Sequence, residues 1–360
     1  MPKLSGNKGE WSEIYTLFKL LGDGVVYAGN GDMEKIEDLF YPIMRVIRRE
    51  TETYNYEPRR DDNRVVVILN DTGEELMRVS MDEFASRAKS LLDSIKTAKG
   101  AAFSLPKVEE FMHSVNCYSL KARSIDKTDI RIVIHDLRTG MTPTLGFSIK
   151  SQLGHPSTLL NPGMTTNFKY QIEGLDLTDE EIADINAIKG QNDRMRAVFS
   201  RGGQLKYHSM DCQTFEDNLI IIDSLMPEII AECIAEHFIS GSNSLSDLTD
   251  GVINRNPLGI RRNPELYYMT KIKSLLVDVA LGMTPAKVWN RRYDANGGYL
   301  VVRNDGEVLC YHFYDRNQIE DYLYQNTRFD SPSRERYKYG SLFREGNSIF
   351  IKLNLQIRFK

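Results

Sequence analysis

Apolar residues recur at helical spacing near the start of the chain. Ile14, Leu17 and Leu21 would share one face of a helix, which predicts an amphipathic helix over residues 10–21. A similar pattern predicts a second helix over residues 33–49, kinked by its internal proline. The same periodicity predicts further helices over residues 81–96, 106–115, 180–188, 214–238 and 264–281.

Alternating apolar and polar residues indicate where the strands lie. They predict a hairpin made of residues 128–136 and 144–150, joined by a turn that contains Gly140. The same alternation predicts strands over residues 64–69, 76–81, 167–172, 300–303, 308–313 and 348–359. The order of elements is helix, sheet, helices, sheet, which predicts an α/β or α+β core with a helical continuation.

The predicted hairpin brings together two residues of opposite charge. Asp129 on its first strand and Lys150 on its second can converge, because alternate residues of neighbouring strands share a face of the sheet. A carboxylate can hold Mg²⁺, and an ammonium can orient or deprotonate an attacking water, which is the chemistry that phosphodiester hydrolysis needs. The alternative is an ordinary hairpin with a lysine that snorkels at the sheet edge.

A second metal-binding acid is expected two residues before the lysine, but Ser148 stands there. The acid must then come from elsewhere, and Glu10 and Glu13 on the predicted first helix are candidates. Acids in a first helical turn also complement the helix dipole, which is their alternative role. Asp136 is a further candidate, although its place near a strand end favours a solvated turn carboxylate. Gln152 has the same strand parity as the lysine and could orient water or phosphate.

Composition narrows the class of protein. The chain has 46 basic and 50 acidic residues, a formal net charge of −4, so binding to nucleic acid would require a local basic cleft. Its four cysteines are scattered and its six histidines show no metal-binding spacing, which predicts reduced thiols and no zinc site. No glycine-rich phosphate loop or nucleophile elbow supports a metabolic α/β enzyme. Neither a signal peptide nor a membrane-spanning apolar run is evident, so a cytoplasmic protein without membrane contact is expected.

Five segments spread along the chain carry a distinctive pattern: residues 7–13 (NKGEWSE), 147–154 (FSIKSQLG), 158–161 (TLLN), 166–168 (TNF) and 352–359 (KLNLQIRF). Together they resemble the HpaII family of type II restriction endonucleases. The resemblance implies a PD-(D/E)xK nuclease fold, in which helices flank a mixed central sheet, followed by a helical C-terminal extension. It further implies Mg²⁺ as cofactor and cleavage of double-stranded DNA at a short palindrome such as CCGG.

The resemblance also ranks the site residues. Glu13 is placed above Glu10 as the metal ligand that accompanies Asp129, because the small residue Ser12 precedes it. A nuclease core is expected over residues 1–175. The remaining residues 176–360 are expected to form a helical and strand-containing part that clamps DNA.

A palindromic site predicts a homodimer, since a two-fold site matches a two-fold protein. A monomer that acts twice is the alternative. A cognate DNA methyltransferase is expected as a genetic rather than a physical partner. The alternative function is a sequence-specific DNA-binding protein that does not cleave, such as a degenerate nuclease.

The polar segment that follows the lysine is predicted to contact DNA, with an ordinary polar surface loop as the alternative. Its candidate contact residues are Ser151, His155, Asn161, Thr165, Thr166, Asn167 and Lys169. Three cationic stretches, residues 189–206, 255–273 and 328–344, are further candidates for lining a DNA cleft.

Overall fold

The computed structural model describes residues 3–122, 128–292 and 297–360. The chain forms two compact units, a first unit of Met1–Ser157 with Tyr293–Tyr322 and a second unit of Thr158–Arg292 with Leu323–Lys360. Both units are discontinuous, whereas the sequence-based division at residue 175 was contiguous. The difference arises because strands near residue 300 pair within the sheet of the first unit.

The elements follow one another in this order up to the end of the seventh strand: α1 Lys8–Asp23, β1 Val25–Gly29, β2 Lys35–Arg49, β3 Thr53–Arg59, β4 Val65–Leu69, β5 Glu75–Ser80, α2 Met81–Thr97, α3 Pro106–Ser114, β6 Ile130–Ile134 and β7 Thr144–Ser151. The next stretch contains β8 Thr158–Leu160, a 3₁₀ turn at Met164–Thr166, β9 Asn167–Glu173, α4 Asp179–Ala187, α5 Gln191–Phe199, β10 Gln204–Met210, α6 Gln213–Ile222, α7 Met226–Ser240, α8 Leu245–Arg255 and α9 Pro264–Ala280. The last elements are β11 Gly298–Val302, β12 Val308–His312, α10 Arg316–Gln325, β13 Thr327–Phe329, α11 Arg334–Tyr337, β14 Leu342–Glu345, β15 Ser348–Asn354 and β16 Ile357–Phe359.

The first helix forms where its apolar spacing predicts it. Asn7 and Glu10 make a reciprocal capping box at its start, and Gly24 ends it in the left-handed conformation, with φ 67°. Its apolar face is buried, and it packs against α2 so closely that Gly22 lies against the backbone of Ala85. The helix is therefore fixed by its caps and by burial on one face.

Nine strands of the described residues form a mixed sheet in the first unit, in the order β1-β12-β11-β7-β6-β2-β3-β4-β5. The pairs β1–β12 and β11–β7 are parallel, and the other pairs are antiparallel. β1 also pairs with β2. The six strands β1, β12, β11, β7, β6 and β2 therefore form a closed ring of paired strands. The expected combination of a central mixed sheet with flanking helices is confirmed.

The helix predicted over residues 33–49 is wrong, because that segment is the long strand β2. Its pairing shifts register between Ile43 and Arg45, so the buried side chains fall at Tyr41, Ile43, Val46 and Arg48. This bulge breaks the two-residue alternation and imitates helical spacing.

The second unit combines helices with two small sheets. Among its described residues, one sheet has the order β10-β9-β15-β14 and the other the order β13-β16-β8. The single helix predicted over residues 214–238 is divided into α6 and α7, because Pro227 stands in the first turn of a new helix. In the part of the chain that the structure describes, no helix is long and apolar enough to cross a bilayer.

We expect Gly22→Ala to lower the free energy of unfolding. A methyl group at position 22 would lie 2.7 Å from the backbone nitrogen of Ala85, so α1 and α2 would have to separate. Overpacking of this kind costs about 1–3 kcal/mol, more than the ~1 kcal/mol that alanine gains over glycine in a helix. The midpoint of urea unfolding measures the change. The exposed Ser90→Ala on α2 should leave that midpoint within a few tenths of a kcal/mol, and an unchanged midpoint for Gly22→Ala would show that the helices do not pack as described.

Candidate active site

Asp129 stands immediately before β6 and is fixed to the neighbouring strand β7. Its backbone N–H donates to the Phe147 carbonyl at 2.9 Å, and its Oδ2 accepts a hydrogen bond from the Ile149 N–H at 2.7 Å. Gly146 on β7 allows this close approach, since a Cβ there would lie 2.6 Å from Cγ2 of Thr128. The backbone of β7 therefore holds the carboxylate beside the strand that carries the predicted lysine.

Lys150 is half-buried on β7. Its Nζ lies 4.9 Å from the ring centroid of Tyr299 on β11, a cation–π distance. Burial lowers the pKa of the Lys150 ammonium, while the negative charge of Asp129 acts in the opposite direction. The predicted convergence of this lysine and this aspartate is therefore present, and the amine is more readily deprotonated than an exposed one.

Glu13 is brought to the same place by the docking of α1 on β7. The hydroxyl of the preceding residue, Ser12, is 2.8 Å from the hydroxyl of Ser151 on β7. Burial, and then the negative charge of Asp129, raise the pKa of Glu13 to about 8. The two carboxylates thus repel each other, and without a cation Glu13 is protonated at neutral pH.

The other candidate acids have different partners. Glu10 completes the cap of α1, and its Oε1 is 3.2 Å from Nζ of Lys121. Its hydrogen bond from the Asn7 backbone, followed by Lys121, lowers the pKa of Glu10. Asp136 accepts a hydrogen bond from the Arg138 N–H at 2.9 Å, which is a turn contact, but it is buried rather than solvated as expected. Glu13 is therefore the acid that the structure places in electrostatic contact with Asp129.

The donor set fits a hard divalent cation. Asp129 and Glu13 supply carboxylate oxygens, and a bound cation would relieve the repulsion that raises the pKa of Glu13. Within residues 3–122, 128–292 and 297–360, no group of three or more His, Cys, Asp or Glu side chains is arranged to hold a metal. Water and substrate oxygens would complete the coordination, as is usual for Mg²⁺.

Comparison with known proteins identifies the family. The model of the HpaII restriction endonuclease family matches residues 7–359. The chain belongs to this family. It is 45% identical to the type II restriction enzyme HpaII of Haemophilus parainfluenzae over 361 aligned residues, which cover 99% of this chain and 98% of that protein. No solved structure matches the chain at a significant level. The resemblance inferred from the five sequence segments is confirmed.

The DNA-contact residues predicted in the first unit of this HpaII family member differ in exposure. The Ser151 hydroxyl contacts α1 and also accepts from the Leu153 N–H at 3.2 Å. Gln152, which was predicted to orient water or phosphate, accepts a hydrogen bond from the Asn304 N–H at 3.3 Å with its amide oxygen. These contacts favour structural roles for both side chains, whereas His155 is exposed.

The DNA-contact residues predicted in the second unit are also divided. Thr166 and Asn167 are buried, and the Asn167 amide donates to a main-chain carbonyl at 3.0 Å. Lys169 forms an ion pair of 2.5 Å with a glutamate of β14. These contacts favour structural roles. Asn161 is exposed and Thr165 is half-buried.

Sequence reasoning missed three groups near the carboxylates of this HpaII family member. Tyr299 reaches Lys150 from β11, and the positive charges of Lys121 and Arg48 partly oppose the rise in the pKa of Glu13. A cavity of about 350 Å³ also adjoins Asp129 and has several polar and charged walls. Tyr299 could not be found because no local pattern links it to β7, and the pairing of β11 with β7 is a tertiary fact.

Glu13→Gln should stabilise the protein in EDTA, by an amount that grows with pH. The carboxyl of Glu13 ionises near pH 8 when folded, against an ordinary value of 4.5, so the folded state loses stability as pH rises through this interval. The variant avoids that loss, and its advantage should grow up to about pH 8 and then stay constant. Urea unfolding at pH 5, 7 and 9 measures it.

Glu10→Gln is the matched control on the same helix. The pKa of Glu10 is lowered on folding, so its carboxylate stabilises the folded state above its ordinary value of 4.5, and the variant should be less stable at pH 7. Parallel pH curves for Glu13→Gln and the unsubstituted protein would contradict the burial of Glu13 beside Asp129.

Proposed function

We propose that this chain is a type II restriction endonuclease that hydrolyses double-stranded DNA at a short, CCGG-like palindrome with Mg²⁺ as cofactor. One observation carries the proposal. Asp129 immediately before β6, Glu13 on α1 and Lys150 on β7 converge in a chain that belongs to the HpaII family. The high identity to a type II restriction enzyme over nearly the full length supports site-specific deoxyribonuclease activity.

The proposed roles follow from the charges. Asp129 and Glu13 would hold a Mg²⁺ ion, which would neutralise charge on the scissile phosphate and lower the pKa of a water. Lys150 orients the attacking water and accepts its proton, for which its lowered pKa suits it. The water oxygen forms the new bond to phosphorus, one phosphorus–oxygen ester bond breaks, and the leaving oxygen takes up a proton.

The proposed architecture is a variant of the PD-(D/E)xK nuclease fold. Ser148 occupies the strand position where an acid is expected, and Glu13 on α1 replaces that acid. The contact of Ser12 with Ser151 supports this substitution, because it sets the helix against the catalytic strand.

DNA recognition and assembly complete the proposal. His155 and Asn161 are exposed and remain candidates for contacts to phosphates or base edges. A homodimer would match the two halves of a palindrome. We place the protein in the cytoplasm, where a cognate DNA methyltransferase would protect the same sites.

Digestion of a plasmid of known sequence with Mg²⁺ tests the activity. We expect discrete fragments whose ends map to CCGG. Lys150→Ala should reduce the rate of cleavage about 10²–10⁴-fold, the usual contribution of a general base, while DNA binding persists. The exposed Lys107→Ala on α3 is the control and should cleave normally. Binding without cleavage by the unsubstituted protein, in Mg²⁺ or Mn²⁺, would identify a DNA-binding protein instead.

Glu13→Gln should reduce cleavage by at least a similar factor, because the site loses one of its two carboxylate ligands. Glu10→Gln should retain cleavage, since Glu10 caps the helix and pairs with Lys121, and glutamine can also form this cap. Initial rates at several Mg²⁺ concentrations measure both variants. Normal cleavage by Glu13→Gln would remove this residue from the site.

A further inference from the structure

The second unit contains a cavity of about 870 Å³ whose lining is strongly cationic. Four basic side chains and one acidic side chain, Glu335, line it, together with two serines and two aromatic rings. The basic residues are Arg194, Arg334, Lys338 and Lys352. This local excess of positive charge contrasts with the net charge of −4 for the whole chain.

One of the basic residues that line the cavity, Arg194, is buried. It is 4% exposed, and its guanidinium donates to the main-chain carbonyls of Gly340, Asn186 and Ile188. No ion pair involves Arg194 among the described residues, and its buried Nε has no hydrogen-bond partner. Burial and the nearby charge of Arg334 lower the pKa of Arg194. A buried cation without a counter-ion is unfavourable, so this position favours the binding of an anion.

Several basic residues elsewhere in the same unit are neutralised. Lys169, Lys206 and Arg344 each form an ion pair with a carboxylate at 2.5–3.0 Å. Arg334 and Lys338, by contrast, take part in no ion pair within the described ranges. Of the four basic residues that line the cavity, Lys352 is paired with Asp211 at 2.8 Å, whereas no carboxylate among the described residues pairs with the other three.

The cavity chemistry points to phosphate. Guanidinium and ammonium groups bind phosphate oxygens, and the hydroxyls of Ser333 and Ser341 can add hydrogen bonds. A volume of about 870 Å³ exceeds what one phosphate ion needs and suits several linked phosphate groups.

We propose that this cavity binds the sugar–phosphate backbone of DNA and supplies affinity that does not depend on base sequence. The choice of DNA over a free polyphosphate rests on the proposed function. The site is separate in kind from the candidate active site, because it holds cations and no pair of carboxylates.

The double variant Arg334→Gln/Lys338→Gln tests this site in the full-length chain that also carries Lys150→Ala, so that binding is measured without cleavage. Its matched control is Lys287→Gln/Arg292→Gln, which removes two exposed positive charges of the same unit that neither line the cavity nor belong to the three cationic stretches. Fluorescence anisotropy with duplexes with and without CCGG, over a series of NaCl concentrations, gives the affinities.

We expect the cavity variant to lose affinity for both duplexes roughly 10- to 100-fold near 0.1 M salt, and the slope of log K against log salt to fall by about 2. The control should change affinity far less. Equal losses in the two double variants, or no loss in the cavity variant, would overturn the proposal. Lys338→Gln alone, whose side chain makes no hydrogen bond or ion pair in the described residues, should reduce the slope by about 1 without disturbing the fold.

Two further arms separate the possible causes of failure. Calorimetry with sodium tripolyphosphate tests for a small-anion site, and binding of this ion with unchanged DNA affinity in the cavity variant would overturn the assignment to DNA. If the unsubstituted protein cuts DNA while the cavity variant binds normally, only this inference fails. If the unsubstituted protein neither binds nor cuts, the proposed function fails with it.

Discussion

The docking of α1 on β7 is the constraint on which the candidate active site depends. The 2.8 Å contact between the hydroxyls of Ser12 and Ser151 joins the helix to the strand, and the buried apolar face of α1 holds it there. Glu13 follows Ser12 directly, so its carboxylate is carried towards Asp129 by packing rather than by its own affinity for the site. The helix cap formed by Asn7 and the close approach of Gly22 to α2 serve the same placement.

The site is electrostatically unfavourable in the absence of a cation. Burial and the nearby charge of Asp129 raise the pKa of Glu13 and so disfavour its charged form, and an adjacent lysine is partly withdrawn from water. Hydrophobic burial of α1 and the backbone hydrogen bonds of Asp129 supply the stability that holds these groups together. Such opposition between stability and function is common, because active sites hold ionisable groups in environments that disfavour their charged forms.

Local patterns were sufficient for much of this structure. The hairpin of β6 and β7, the helices α1, α2 and α3, and the proximity of Asp129 to Lys150 could be predicted because each depends on residues close in sequence. The strand β2 could not, since its bulge between Ile43 and Arg45 disguises the alternation. The contact of Tyr299 with Lys150 and the discontinuous units could not be predicted either, because no short-range signal specifies which distant strands become neighbours. The basic cavity could not be predicted for the same reason, because Arg194 and residues after position 330 line it together.

The discontinuity of the first unit has a consequence for how the protein is made. The edge of β7 that pairs with β11 stays without its partner until residues 298–302 have left the ribosome, after all of Thr158–Arg292 has been synthesised. Until then Lys150 lacks the ring of Tyr299, and the sheet around it is incomplete. Parallel pairings between distant segments form slowly, since a long loop must close first. A nascent or truncated chain would therefore carry the acidic residues of the site without its finished frame, so that the assembled site arises only in a chain that is almost complete.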